Sequence, residues 1–239
     1  MIKKGRLAVL AAVALLPTSL KCPLYRLLFG YKIGKGARIG FSIIDANECV
    51  IGDYVSIGHL NAIVGVKSIS VGEHSRIGAL NIVRGGDEVR IGRYCDILRL
   101  NEINSIPEPD VVNEVDPRFI MGDGSMIAAS HKIDFTDRVE FGNRVILGGR
   151  NSSIWTHNRQ KTLPVKVGSN TYLGSEIRIA PGVEIATNCI VGMGSVVTGK
   201  LGGEYHLIGG VPAKAIKPLD EEGRFLVERK TRNDLPDDI

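Results

Sequence analysis

The chain has 239 residues, of which only 5% are aromatic, and its formal net charge of +4 is an N-terminal property. Residues 1–44 hold eight bases (Lys3, Lys4, Arg6, Lys21, Arg26, Lys32, Lys35 and Arg38) and no acid, whereas the remainder holds 22 bases against 26 acids. No aromatic stripe accompanies that charge, which argues against a nucleic-acid surface, and Cys22, Cys49, Cys95 and Cys189 lie too far apart for a CxxC metal knuckle or a dense disulfide framework.

Residues 1–32 come first. Leu7–Leu16 is a run of ten apolar residues ended by Pro17, too short to span a bilayer, which needs about 20 residues. Three readings stay open for this segment. It is a secretory signal, a basic apolar segment lying on an anionic inner membrane surface, or a helix covering the first coil of whatever follows.

From Ile33 onward one pattern recurs. Ile33-Gly-Lys-Gly-Ala-Arg-Ile-Gly40 is echoed from Ile51, Val71, Ile91, Met121, Phe141 and Val167, at steps of 18, 20, 20, 30, 20 and 26 residues. After Leu173 an aliphatic residue falls every six positions, at Ile179, Ile185, Val191 and Val197. A period of six is neither helical nor a plain strand alternation. It predicts an all-β fold, a parallel β-helix whose coil has three short sides and whose aliphatic residues point inward. The Gly after each aliphatic residue is expected at a corner, where a positive φ favours it. The long steps predict two excursions from the prism, near 104–118 (with Pro107, Pro109 and Pro117) and near 155–165, and in solenoids such insertions mark the functional side. The domain expected is therefore 33–217, followed by a tail, 218–239, whose Glu222–Lys230 stretch predicts a short helix capping the last coil.

Metal chemistry is not expected. The five histidines are His59, His74, His131, His157 and His206, and the nearest pair is fifteen residues apart, without the converging spacing of a zinc site. His59, His74 and His206 read as structural. His157 differs, because it follows Thr156 at the start of the second excursion. The ordered set Thr156-His157, Pro164-Val165, Val167-Gly168, Asn170, Tyr172-Leu-Gly-Ser175, Pro181-Gly-Val-Glu-Ile185, Gly192-Met-Gly-Ser-Val-Val-Thr198 and Gly210-Val-Pro-Ala-Lys214 resembles the hexapeptide-repeat acyltransferases, CoA-dependent sugar O-acetyltransferases in particular. The match is good over 120–217. It departs at Thr198-Gly-Lys200, where many members have Thr-Lys-Asp.

The resemblance implies a left-handed parallel β-helix, acetyl-CoA as cosubstrate, and a homotrimer with the CoA arm between subunits. His157 would be the general base and Gly174 and Ser175 the oxyanion hole. Gly174, Gly192, Gly194, Lys200, Lys214 and Lys217 would hold CoA. Trp155, Asn151 and His131 are candidates for the acceptor. His131 reads alternatively as a hydrogen-bonded corner residue or as one that orients His157, and Asp134 and Asp137 as carboxylates that orient a base or, more commonly, cap turns. The acceptor expected is a sugar hydroxyl, or a lipid-linked one, in cell-surface polysaccharide or lipopolysaccharide synthesis, in the cytoplasm or at the inner face of its membrane. An N-acetyltransferase for an amino sugar or amino acid shares the whole engine. A β-helix scaffold would lack the Thr-His loop, and a metal-dependent lyase would need the absent His triad.

Overall fold

The computed structural model describes residues 4–106 and 113–239; Pro107 and Pro109 lie outside them. Among the described residues the chain folds as the parallel β-helix expected from the six-residue period, left-handed as the resemblance implies, with about nine turns and three helices. Parallel strand pairing runs along three faces of a prism. On the first face Ile33, Ile51, Val71, Ile91, Met121, Phe141, Val167 and Ile185 stack in register. Ile39, Ile57, Ile77, Ile97, Ile127, Leu147, Leu173 and Val191 form the column of the second face. Ile44, Ile63, Val83, Ile103, Ile133, Ile154, Ile179 and Val197 form that of the third. All of these side chains are buried, so the interior is three stacked, mainly aliphatic columns, interrupted by one cluster of buried rings, Phe119, Phe135 and Phe141.

The corner glycines correct one expectation. Gly52, Gly58, Gly72 and Gly78 do not have positive φ; positive φ falls instead on neighbours such as Tyr54, Leu60, His74 and Leu80. The repeat glycines are required by approach. A methyl at Gly78 would sit on the carbonyl oxygen of Leu98, and one at Gly72 on the backbone of Gly92. Successive coils are too close there for any Cβ.

Polar ladders line two corners. Between the second and third faces Ser42, Asn61, Asn81, Asn101, His131 and Ser152 are linked coil to coil. Asn81 Nδ2, for example, donates to Asn61 Oδ1 at 3.0 Å and to the Leu98 carbonyl at 3.1 Å. Between the first and second faces Ser75 and Ser125 donate to wall carbonyls, and the Cys95 thiol takes the same place, 3.1 Å from the Gly122 carbonyl. The four cysteines are free and buried.

Both ends are covered. Helix α1 (Lys4–Ala14) and helix α2 (Thr18–Phe29) sit on the first coil. Their bases answer its unpaired carbonyls: Arg6 donates to Asp45 at 2.8 Å and to the Ala46 carbonyl at 2.7 Å, while Lys21, fully buried, donates to the carbonyls of Ile39 and Gly40. At the other end the last coil is closed by strand Ala213–Pro218, which pairs antiparallel with His206–Gly210. Helix α3 (Glu221–Glu228), expected as that cap, instead leads a strap back along the corner between the first and second faces. Thr231 hydroxyl reaches the Gly124 carbonyl, Leu235 packs over Gly124, and Arg232 donates to the His74 carbonyl at 3.0 Å. There Arg232 also lies 3.6 Å from Asp96 and 5.6 Å from the Tyr94 ring. Among the described residues no helix is long and apolar enough to cross a membrane.

Candidate active site

Both excursions leave the prism at one corner, between the third and first faces. The first follows strand Glu102–Asn104 and the second follows strand Ser153–Ile154. They touch: Asn113 Nδ2 donates to the Thr162 carbonyl at 2.9 Å.

The second excursion is a tight antiparallel turn. His157 bridges to Thr162, the Leu163 amide donates to the Thr156 carbonyl at 2.9 Å, and Asn158 Oδ1 accepts the amides of Gln160 and Lys161. Thr156 anchors its base. Its buried hydroxyl donates to the Asp134 carbonyl at 3.1 Å and accepts the Asp137 amide at 3.0 Å. This places His157, half-buried, on a loop fixed from below. Asp134 and Asp137 serve turns: Asp134 Oδ1 accepts the Thr136 amide at 2.8 Å and Asp137 Oδ1 the Arg138 amide at 2.7 Å.

Trp155, 38% exposed, stands on the third face two residues before His157, with Lys132 Nζ 5.3 Å over its ring. Asn151 lies at the other edge of that face; it has φ +59°, and its carbonyl accepts from Arg178 at 2.6 Å. His131 does not share this surface. It is 2% exposed within the corner ladder, where its Nδ1 accepts the Ser152 amide at 3.2 Å. That bond fixes the neutral ring, and burial pushes its pKa down to about 4.

The oxyanion pair needs correction. The Gly174 amide is engaged by the Val191 carbonyl at 2.9 Å, so it belongs to the wall. Among the described residues no backbone carbonyl takes the amide of Ser175, which leaves one donor of the two. The pair also sits at the corner between the second and third faces, whereas His157 leaves from the far edge of the third face. Six extended residues separate these corners, about 16–20 Å. One chain does not bring base and donor together.

The CoA candidates divide likewise. Gly192 and Gly194 follow Gly174 down the same corner, with the Gly194 amide on the Ser175 carbonyl at 2.9 Å and Met193 exposed between them. Lys214 and Lys217 are on the closing strand of the second face. Lys200 is on another side, in the groove beside Leu163, Pro164 and Arg138, and is held by Glu184 at 3.1 Å. Among the described residues no group of three His, Cys, Asp or Glu could hold a metal.

Residues 164–199 match the family described as bacterial transferase hexapeptide (six repeats). That stretch of the chain carries the hexapeptide repeat of bacterial transferases. These repeats begin at Pro164, immediately after the His157 loop. Galactoside O-acetyltransferase of Escherichia coli K12 is 32% identical over 63 residues, 26% of this chain and 30% of that one. Chloramphenicol acetyltransferase of Morganella morganii is 37% identical over 76 residues, 31% and 36% of the two chains. The chain spans about a third of the length of the curated relatives it matches. Among solved structures, a Vibrio cholerae hexapeptide-repeat acetyltransferase complexed with acetyl-CoA is 16% identical with a TM-score of 0.40, covering 91% of each chain.

Proposed function

We propose that this hexapeptide-repeat protein is an acetyltransferase that moves an acetyl group from acetyl-CoA to a sugar hydroxyl, with His157 as general base. The observation that carries this is the Thr156-anchored loop, which lifts His157 beside exposed Trp155 at the start of the transferase repeats. A sugar hydroxyl is too weak an acid to attack a thioester unaided. As its oxygen bonds to the acetyl carbon, its proton passes to the imidazole, and the carbon–sulfur bond then breaks. The imidazolium returns the proton to the leaving thiolate, and the ring is neutral again. Negative charge on the thioester oxygen meets a fixed amide donor, for which Ser175 N–H is available.

Because His157 and Ser175 stand at opposite edges of the third face, a second copy supplies the missing half of the site. Loop against corner is a heterologous contact, which forms a ring when its rotation closes, and a homotrimer is the ring the family resemblance implies. The pantetheine arm then runs along Gly174, Gly192 and Gly194 between two walls, with Lys214 and Lys217 exposed for phosphate.

The N-terminal helices add a location. Leu15, Leu20, Leu27 and Leu28 are 72%, 55%, 80% and 51% exposed, and residues 1–44 contain no acid. This supports a protein seated on an anionic membrane surface, acting on a lipid-linked acceptor of surface-polysaccharide synthesis.

The test is His157→Ala. It is expected to keep its fold and its CoA affinity and to lose at least about 100-fold in kcat with a hydroxyl acceptor. Near-normal turnover would remove His157 from the mechanism. Amino-sugar acceptors in the same panel decide between O- and N-transfer.

A further inference from the structure

Bases elsewhere on the prism are widely held by carboxylates. Lys67 has Asp87 at 2.6 Å, Arg93 has Asp123 at 2.9 Å, Arg118 has Asp116 at 2.5 Å and Lys200 has Glu184 at 3.1 Å. Around the His157 loop this pattern stops. Arg99, Arg150, Arg159, Lys161 and Arg178 are exposed, and among the described residues none has a carboxylate within ion-pair distance. Lys132, the sixth base here, has Glu102 at 3.7 Å and lies over Trp155.

The register places these bases on one surface. Arg99 and Arg150 both pair with Ala129, so they stack on the corner column two coils apart. Lys132 and Arg178 both pair with Ser153 on the third face, also two coils apart. Each pair is therefore about 10 Å apart along the stack. Arg178 spans to the Asn151 carbonyl, which joins the two columns, and Trp155 completes the surface toward the loop, where Arg159 and Lys161 sit two and four residues past His157. Glu176 is exposed at the same corner, and Glu114 is exposed beside Asn113, which touches the loop. Like charges so crowded and so sparsely paired raise the local concentration of anions, and arginine's planar fork suits carboxylate and phosphate.

We propose that the acceptor is an anionic sugar, carrying a carboxylate or phosphate that Arg150, Arg178 and Lys132 hold while its hydroxyl faces the His157 loop that a neighbouring copy lays against this corner. This rests on the acetyl-transfer reading above and narrows its substrate class.

Trp155 is the only tryptophan, so its fluorescence reports this surface without interference. The full-length protein is titrated with glucose, glucuronate and glucose 6-phosphate, at low and high sodium chloride. Glucuronate or glucose 6-phosphate is expected to bind at least about tenfold more tightly than glucose, and the difference to shrink with salt. Arg150→Ala and Arg178→Ala are each expected to lose about tenfold in that affinity. Equal affinity for glucose and both anions overturns the proposal. So does displacement of the bound anion by CoA, which would assign the bases to the donor. Anion-selective binding with no thiol released from acetyl-CoA would instead overturn acetyl transfer and keep the anion site.

Discussion

Replacing His131 by Asn separates the wall from the chemistry. The ring sits 2% exposed in the corner ladder, accepting the Ser152 amide through Nδ1. Protonation would turn that acceptor into a donor facing a donor. Burial accordingly pushes the pKa of His131 down to about 4, from an ordinary value of 6.5. A depressed folded pKa means the unfolded chain binds more protons between these values. The stability this neutral ring permits is thus fully present above pH 6.5 and is lost as pH falls toward 4. Linkage puts the loss at about 2 kcal/mol by pH 5. Asparagine already fills this position in three preceding coils, with Asn61, Asn81 and Asn101 each donating Nδ2 to a wall carbonyl at 2.8, 3.1 and 2.9 Å. His131→Asn is therefore expected to fold, to lie within about 1 kcal/mol of the parent at pH 7, and to lack this part of the acid destabilisation. Urea unfolding at pH 7 and pH 5 measures both quantities. An unchanged pH slope in the variant would refute the ladder argument. A raised acceptor KM with unaltered stability would restore His131 as an acceptor contact.

Gly78→Ala is expected to lose the folded state or most of its stability, because the new methyl lands on the Leu98 carbonyl oxygen, whereas Gly199→Ala, with open space around it and ordinary φ, leaves the melting temperature nearly unchanged; circular dichroism melts of the two compare them directly. Arg232→Ala leaves Asp96 inside the strap contact without its cation, and about 3 kcal/mol of destabilisation is expected, part of it recovered by adding Asp96→Asn. Chemical denaturation of both variants reads this, and an unaffected single mutant would show that the strap contributes little. Leu15→Glu with Leu27→Glu is expected to abolish sedimentation with anionic vesicles while the protein stays folded; equal sedimentation of parent and variant would end the membrane assignment. Deleting residues 1–30 is the poorer experiment, since it uncovers the carbonyls that Arg6 and Lys21 occupy.

The prism was legible because one aliphatic residue per side decides the inward face. Every coil step read from Ile33 to Val167 reappears as strand register. The corner ladder was equally periodic, with Ser42, Asn61, Asn81, Asn101, His131 and Ser152 at coil spacing, yet a search for apolar beats passes over polar ones. His131 accordingly read both as an acceptor contact and as a hydrogen-bonded corner residue, and the ladder supports the second. The repeat glycines were found for the wrong reason, since sequence reveals a need for Gly but not whether φ or proximity imposes it. Gly174 misled similarly: a motif does not say which amides the wall has already consumed. The strap was invisible, because Thr231, Arg232 and Leu235 follow no period and their partners lie more than a hundred positions away.

That strap alters how the whole molecule should come apart. A stack in which each coil meets only its neighbours is a one-dimensional chain of couplings, free to fray from either tip. Arg232 binds at His74, 158 positions earlier, and so ties the segment after helix α3 to the third coil. Fraying of the later coils must first break this tie, so they and the early ones share one fate. Hydrogen exchange should then report one broad cooperative block from Asp53 to Ile208 instead of a gradient. Folding inherits the opposite burden, since so distant a closure completes only after the intervening coils are laid down.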